Sequence, residues 1–173
     1  MDTAMKKLLL SVMLSLALGG LAYAATSPKA KPAPILDIAQ TVVKMPLETG
    51  VSMNDAVEAM KIRANKLNFK LVAEMPLSKQ IEAMGEKSRR MDIYQFCDAL
   101  TAKKMVEYDI HFSAYLPCRI ALVEDAKGQG WLVMMNLDMF IQGAKLSAPL
   151  QSEAIKVRDT LTEIMQAGVK GEW

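Results

Sequence analysis

The strongest chemistry this chain offers is a pair of thiols, Cys97 and Cys118, its only cysteines. Cys97 precedes Asp98 where a helix is predicted to begin. A helix N-terminus favours thiolate, and Arg119 beside Cys118 acts in the same direction, while the Asp98 carboxylate opposes it. The spacing contains no C-x-x-C, which excludes a thioredoxin-type exchange motif. A bridge between the two would close a loop of about 20 residues and contribute about 3 kcal/mol in the chain-entropy model. Three readings stay open: a structural disulfide, two buried reduced thiols, or a redox-active or ligand-binding pair.

The remaining candidates are weaker. Eleven of the 14 methionines follow the first 24 residues, and thioethers can bind Cu(I). Met53 and Met60 occupy core spacing on a predicted helix, so packing is the simpler reading. Met134, Met135 and Met139 cluster in sequence but cross a strand-to-turn boundary. His111 is the only histidine. That excludes a multi-His zinc site and argues against a His-dependent hydrolase. Covalent c-type haem lacks its motif, though a non-covalent His/Met haem site stays open. His111 is expected as a partly exposed residue between a helix and a strand. Glu124-Asp125 falls in a turn, and Gly128-Gln129-Gly130 joins two strands without opening a helix, so neither makes a catalytic pair or a phosphate loop. Trp131 and Tyr94 are read as core. No cofactor is expected.

Charge narrows the partners further. The formal net charge is +2, with both signs mixed along the chain, which argues against a phosphate-neutralising nucleic-acid face. Lys87, Arg89 and Arg90 read as a solvated turn.

The elements that must position these residues are legible in outline. Gln40 to Met45 is a β-branched run and reads as a strand. Ser52 with Asp55 three residues on resembles a capping box. Met53, Ala56, Val57, Met60, Ala64 and Leu67 then recur at helical spacing. Phe69–Met75 reads as a strand, Ser78–Met84 as a short helix stopped by Gly85, and Met91–Cys97 as a third strand. Asp98 can cap a helix from Ala99 to Glu107. Pro117–Glu124 and Trp131–Asn136 read as two strands joined by a hairpin. A turn of helix is expected near Leu137–Gly143. Leu150, Ala154, Val157, Leu161, Ile164 and Gly168 mark a long final helix. The expected fold class is therefore α+β: a mostly antiparallel or mixed sheet with helices on one face, in a single domain spanning 35–173.

The first 24 residues read as a cleavable secretory leader. Lys6 and Lys7 form the positive region, Leu8–Leu21 is a 14-residue apolar stretch, and Ala22-Tyr23-Ala24 sets a cut after Ala24. Fourteen residues fall short of the ~20 that cross a bilayer. No cysteine follows the cut, so a lipoprotein anchor is not indicated, and no later segment is long enough to span. Residues 25–34 form a Pro-rich tether. The expected location is periplasmic or secreted, where two cysteines usually pair.

The segment Met91-Asp-Ile-Tyr-Gln-Phe-Cys97, then Tyr115-Leu-Pro-Cys118-Arg-Ile-Ala-Leu-Val-Glu124-Asp, then a strand ending in Met135-Asn136, resembles the family catalogued as domain of unknown function 302. The most specific piece is Leu116-Pro117-Cys118-Arg119. The likeness covers about Thr41–Ile141 and departs at Leu137, where relatives often place proline. It implies a compact α+β fold with helices on one side of the sheet, and dimerisation. It implies no established activity. Cys97, Cys118 and Arg119 carry over as the candidate site, with Asn136 behind them. On these grounds a non-catalytic binding or accessory protein is expected, taking a small ligand or a periplasmic protein. Thiol-dependent redox or sulfur handling is the alternative, and copper or haem binding the third reading.

Overall fold

A computed structural model describes residues 37–173. The leader, its cut after Ala24 and the tether lie outside the described residues. The described residues hold five strands and five helices in the order β1 (Val42–Pro46), α1 (Met53–Lys66), β2 (Lys70–Pro76), α2 (Leu77–Ala83), β3 (Met91–Cys97), α3 (Ala99–Tyr108), β4 (Cys118–Glu124), β5 (Gly130–Met135), α4 (Leu137–Gly143) and α5 (Ala148–Lys170). A 3-10 turn, Ile110–Tyr115, links α3 to β4. The sheet order is β1-β5-β4-β3-β2, and every neighbouring pair is antiparallel. The fold is α+β, as expected.

Strand alternation divides the sheet into two unlike faces. Asp92, Tyr94 and Phe96 of β3, Ile120 and Leu122 of β4, and Leu132 and Met134 of β5 are buried. The residues between them, including Ile93, Ala121 and Val133, stay only half-buried. The buried face packs against α1 and α5, whose Ala56, Met60, Leu161 and Ile164 complete the core. On the other face Lys44 lies 3.7 Å over the Trp131 ring. Trp131 Nε1 donates to Asp125 at 2.9 Å.

Local chemistry sets the helix ends. Ser52 and Asp55 form the reciprocal capping box that begins α1. Gly171, in the left-handed region at φ 64°, ends α5. The helices α1 and α5 approach so closely that a Cβ on Gly168 would lie 2.6 Å from Met60 Cγ and 2.8 Å from Leu132 Cδ1. Arg63 of α1 also meets Glu163 of α5 at 2.8 Å.

Arg90 departs from its expected place in a solvated turn. Its Nε donates to Asp92 Oδ2 at 2.8 Å, and its Nη1 donates to Asn54 at 2.5 Å. The Ser78 hydroxyl donates to the other Asp92 oxygen at 3.2 Å. Burial works to lower the Arg90 pKa, but its partners Asp92 and Tyr94 hold it above the ordinary value. Basic residues adjacent in sequence gave no sign of this, because the partners are Asn54 of α1 and Asp92 and Tyr94 of β3.

The interhelical contact predicts that Gly168→Ala costs about 1–3 kcal/mol through overpacking. Urea denaturation should show a lower midpoint with an unchanged slope. Gly143→Ala, where an added Cβ meets nothing within 4 Å, should stay within about 1 kcal/mol of the parent.

Candidate functional site

At one end of the sheet β3 and β5 stop and β4 begins. Above these strand ends lies a cavity of about 370 Å³. Its walls come from α3, the 3-10 turn, α4 and the first turns of α5. Met105, Phe112, Tyr115, Leu137, Phe140 and Val157 are among its apolar lining residues. Volume and lining are those of a small-molecule site. Cys97 and Cys118 both border it, as do Asp98, Thr101, Asp109 and His111.

The polar side chains around this space are largely occupied by the backbone. Asp98 caps α3, accepting from Leu100 N at 3.0 Å and from the Thr101 hydroxyl at 2.8 Å. Burial works to raise the Asp98 pKa, but the Thr101 hydroxyl and the Thr101 and Leu100 N–H groups hold it below the ordinary value. Asp109 closes α3 and opens the 3-10 turn by accepting from His111 N at 2.9 Å. That bond, and the His111 ring at 2.6 Å, lower its pKa. His111 itself has a side chain 88% exposed, more open than expected. Each capping residue thus starts the element that walls the cavity, and little polar capacity remains for a reaction.

The expected disulfide is not formed: both cysteines are free thiols. Strand register gives the reason. Phe96 pairs with Cys118 across β3 and β4, so Cys118 shares the helix-covered face with Phe96. Cys97, the next residue, belongs to the opposite side of the pleat and borders the cavity only because β3 ends there. Side chains that diverge in this way do not meet bridge geometry.

The expected pull toward thiolate is also overturned. Burial, with a smaller contribution from neighbouring Cys97, pushes the Cys118 thiol up to about 11, and Arg119 offsets only part of this. Cys97 is raised too, by burial and by Asp98. Sequence adjacency placed Arg119 beside Cys118, but alternation puts their side chains on opposite faces.

Arg119 lines a second depression of about 490 Å³ together with Ile93, Ala121 and Val133. Asn136 lines neither space. It caps α4, accepting from Asp138 N at 3.2 Å, and donates to Gln40 O at 3.3 Å. Met134, Met135 and Met139 separate: Met134 is in the core, while Met135 and Met139 border the cavity. Among the described residues, no group of three or more His, Cys, Asp and Glu side chains could hold a metal ion. No described helix is long and apolar enough to cross a membrane.

The aromatic wall was not foreseen from sequence. Phe112, Tyr115 and Phe140 sit in stretches without periodicity. The Tyr115 and Phe140 rings pack with centroids 5.0 Å apart at 56°. The one available signal was the density of apolar residues from Ile110 to Leu116 in a connection.

An all-antiparallel five-stranded sheet, helices on its buried face and an apolar cavity at one end define a small α+β protein. The family model described as "Domain of unknown function DUF302" matches residues 43–168, and the chain belongs to that family. The match takes in most of α5, which lies beyond the Thr41–Ile141 span of the resemblance. The crystal structure of an uncharacterized conserved DUF302 protein from Bacillus stearothermophilus is similar, with a TM-score of 0.62 at 16% identity. The likeness covers 73% of this chain and 97% of that chain, and shows the fold. No curated protein matches the sequence.

The raised pKa of Cys118 predicts slow alkylation. At pH 8 its reaction with iodoacetamide should be about a hundredfold slower in the native protein than in urea. Cys97 should react first in the native protein. The shift also sets a pH dependence of stability. The folded thiol stays neutral, whereas the unfolded one ionises near 9.0. Stability from this group is therefore complete below about pH 9 and falls as pH rises toward about 11. Cys118→Ser, which has no thiol to ionise, should lack that alkaline slope in urea titrations at pH 8 to 10.5.

Proposed function

We propose that this protein is an exported, non-catalytic binding module that takes a small apolar molecule into the cavity at the sheet end. The observation that carries the reading is the chemistry of that cavity. Its lining is mostly apolar, its capping carboxylates are committed to backbone N–H groups, and its half-buried Cys118 thiol is held neutral. Such a lining gains free energy from removing apolar surface from water. It offers no activated nucleophile–base pair. The leader, Lys6-Lys7 followed by Leu8–Leu21 and Ala22-Tyr23-Ala24, supports an extracytoplasmic location.

A second reading rests on both thiols bordering one cavity: thiol-dependent redox or sulfur handling by Cys97 and Cys118. Rapid native alkylation of both at neutral pH would favour it over the first.

The binding reading is tested with the neutral fluorophore N-phenyl-1-naphthylamine and the chain from Ala25 onward. Fluorescence should rise and saturate at one probe per chain. Ala102→Phe, which fills cavity space from α3, should weaken binding at least tenfold. Circular dichroism and urea denaturation of that variant check that the fold survives. A linear, non-saturating response from the parent protein contradicts the reading.

A further inference from the structure

The cavity and the Arg119 depression are neighbours with a common wall. Tyr115, Cys118, Met135, Leu137 and Phe140 line both. The paired rings of Tyr115 and Phe140 therefore stand between an apolar chamber and a second apolar surface. Both residues are partly exposed, 44% and 38%.

Arg119 is the one charged residue lining the depression. It is exposed, and among the described residues it makes no salt bridge and no side-chain hydrogen bond. Its neighbours Ile93, Ala121 and Val133 leave it facing apolar surface. A planar guanidinium in that setting matches a carboxylate or phosphate with two parallel hydrogen bonds. The cavity differs in charge. Asp98 and Asp109 border it but do not line the depression, and both would repel an anion. The cation thus belongs to the depression and the carboxylates to the cavity.

We propose that the site takes a single-chain anionic amphiphile, its anionic head on Arg119 and its chain passing the Tyr115–Phe140 pair into the cavity. This rests on the binding reading above and assigns the ligand class and orientation. Arg119 sets specificity for the head, and the cavity supplies the affinity for the chain. A fatty acid and a phosphate-headed lipid share this chemistry.

The test is displacement of N-phenyl-1-naphthylamine by four dodecyl compounds below their micelle concentrations at pH 8. These are dodecanoate, dodecyl phosphate, 1-dodecanol and dodecyltrimethylammonium. At least one anion should compete at tenfold lower concentration than the alcohol and the cation. Whichever of dodecanoate and dodecyl phosphate is preferred identifies the head. In R119Q the anion-to-alcohol ratio should fall to about one. Equal competition by all four, or an anion preference that survives R119Q, overturns the proposal while leaving the cavity reading intact. Absence of saturable probe binding in the parent protein overturns both.

Discussion

Successive side chains of a strand must point to opposite faces of a sheet, and the site is organised by that constraint. One residue of register separates Phe96 from Cys97 and Cys118 from Arg119. Phe96 is fully buried beneath the helices, and Cys118, its cross-strand partner, shares that face. Cys97 and Arg119 belong to the other. The same alternation that fills the core with Tyr94, Ile120, Leu122 and Leu132 keeps the thiols from pairing. It also sends the guanidinium away from the thiol it adjoins in sequence. A one-residue slip would exchange the two faces, so the burial of this core and the placement of the site are a single specification.

The end of the sheet adds a second constraint. Strands that stop leave helices and turns to cover the core edge, and each of these begins with unsatisfied N–H groups. Asp98, Asp109 and Asn136 satisfy them. Capping at three successive element starts consumes the polar side chains nearest the cavity. What remains facing inward is apolar side chain and neutral thiol. The cavity is thus a consequence of how the segments are started, and its chemistry suits retention of an apolar group more than turnover. The opposite end of the sheet is built differently. There Arg90, Asp92 and Ser78 form a hydrogen-bonded cluster that ties α2 to the sheet.

Most of the framework could be read from local signals. The Ser52–Asp55 box, the 3.6-residue spacing of Met53, Ala56 and Met60, and the turn residues between Glu124 and Gly130 each named an element correctly. Local signals carry this information because capping and periodicity are properties of neighbours in sequence. The pairing of β1 with β5 was not legible, since it joins residues some 90 apart through backbone bonds that any sequence can make. For the site, Cys97 and Cys118 border one cavity, and both are free thiols there. Adjacent strand ends suggested a bridge; which face each end presents depends on register. Arg90 was missed because strand alternation turns the nearby Asp92 and Tyr94 toward it and its third partner, Asn54, comes from α1. Asn136 drew notice as part of a motif, and its side chain is engaged in capping α4. The aromatic wall came from the 3-10 turn, with Phe112 and Tyr115, and from the two-turn helix α4, with Phe140, both too short for periodicity to mark the inward side.

The central claim, that an apolar molecule occupies the space above the strand ends, is tested most directly through the methionine methyl groups. Met105, Met135 and Met139 border the cavity, Met60 and Met165 lie in the core between α1, α5 and the sheet, and Met84 is 82% exposed. Carbon-13 methyl spectra recorded while N-phenyl-1-naphthylamine is titrated in would separate these positions. The account predicts saturable shifts at Met105, Met135 and Met139, with Met60, Met165 and Met84 nearly unmoved. Shifts confined to Met84, or spread evenly over all six, would contradict it.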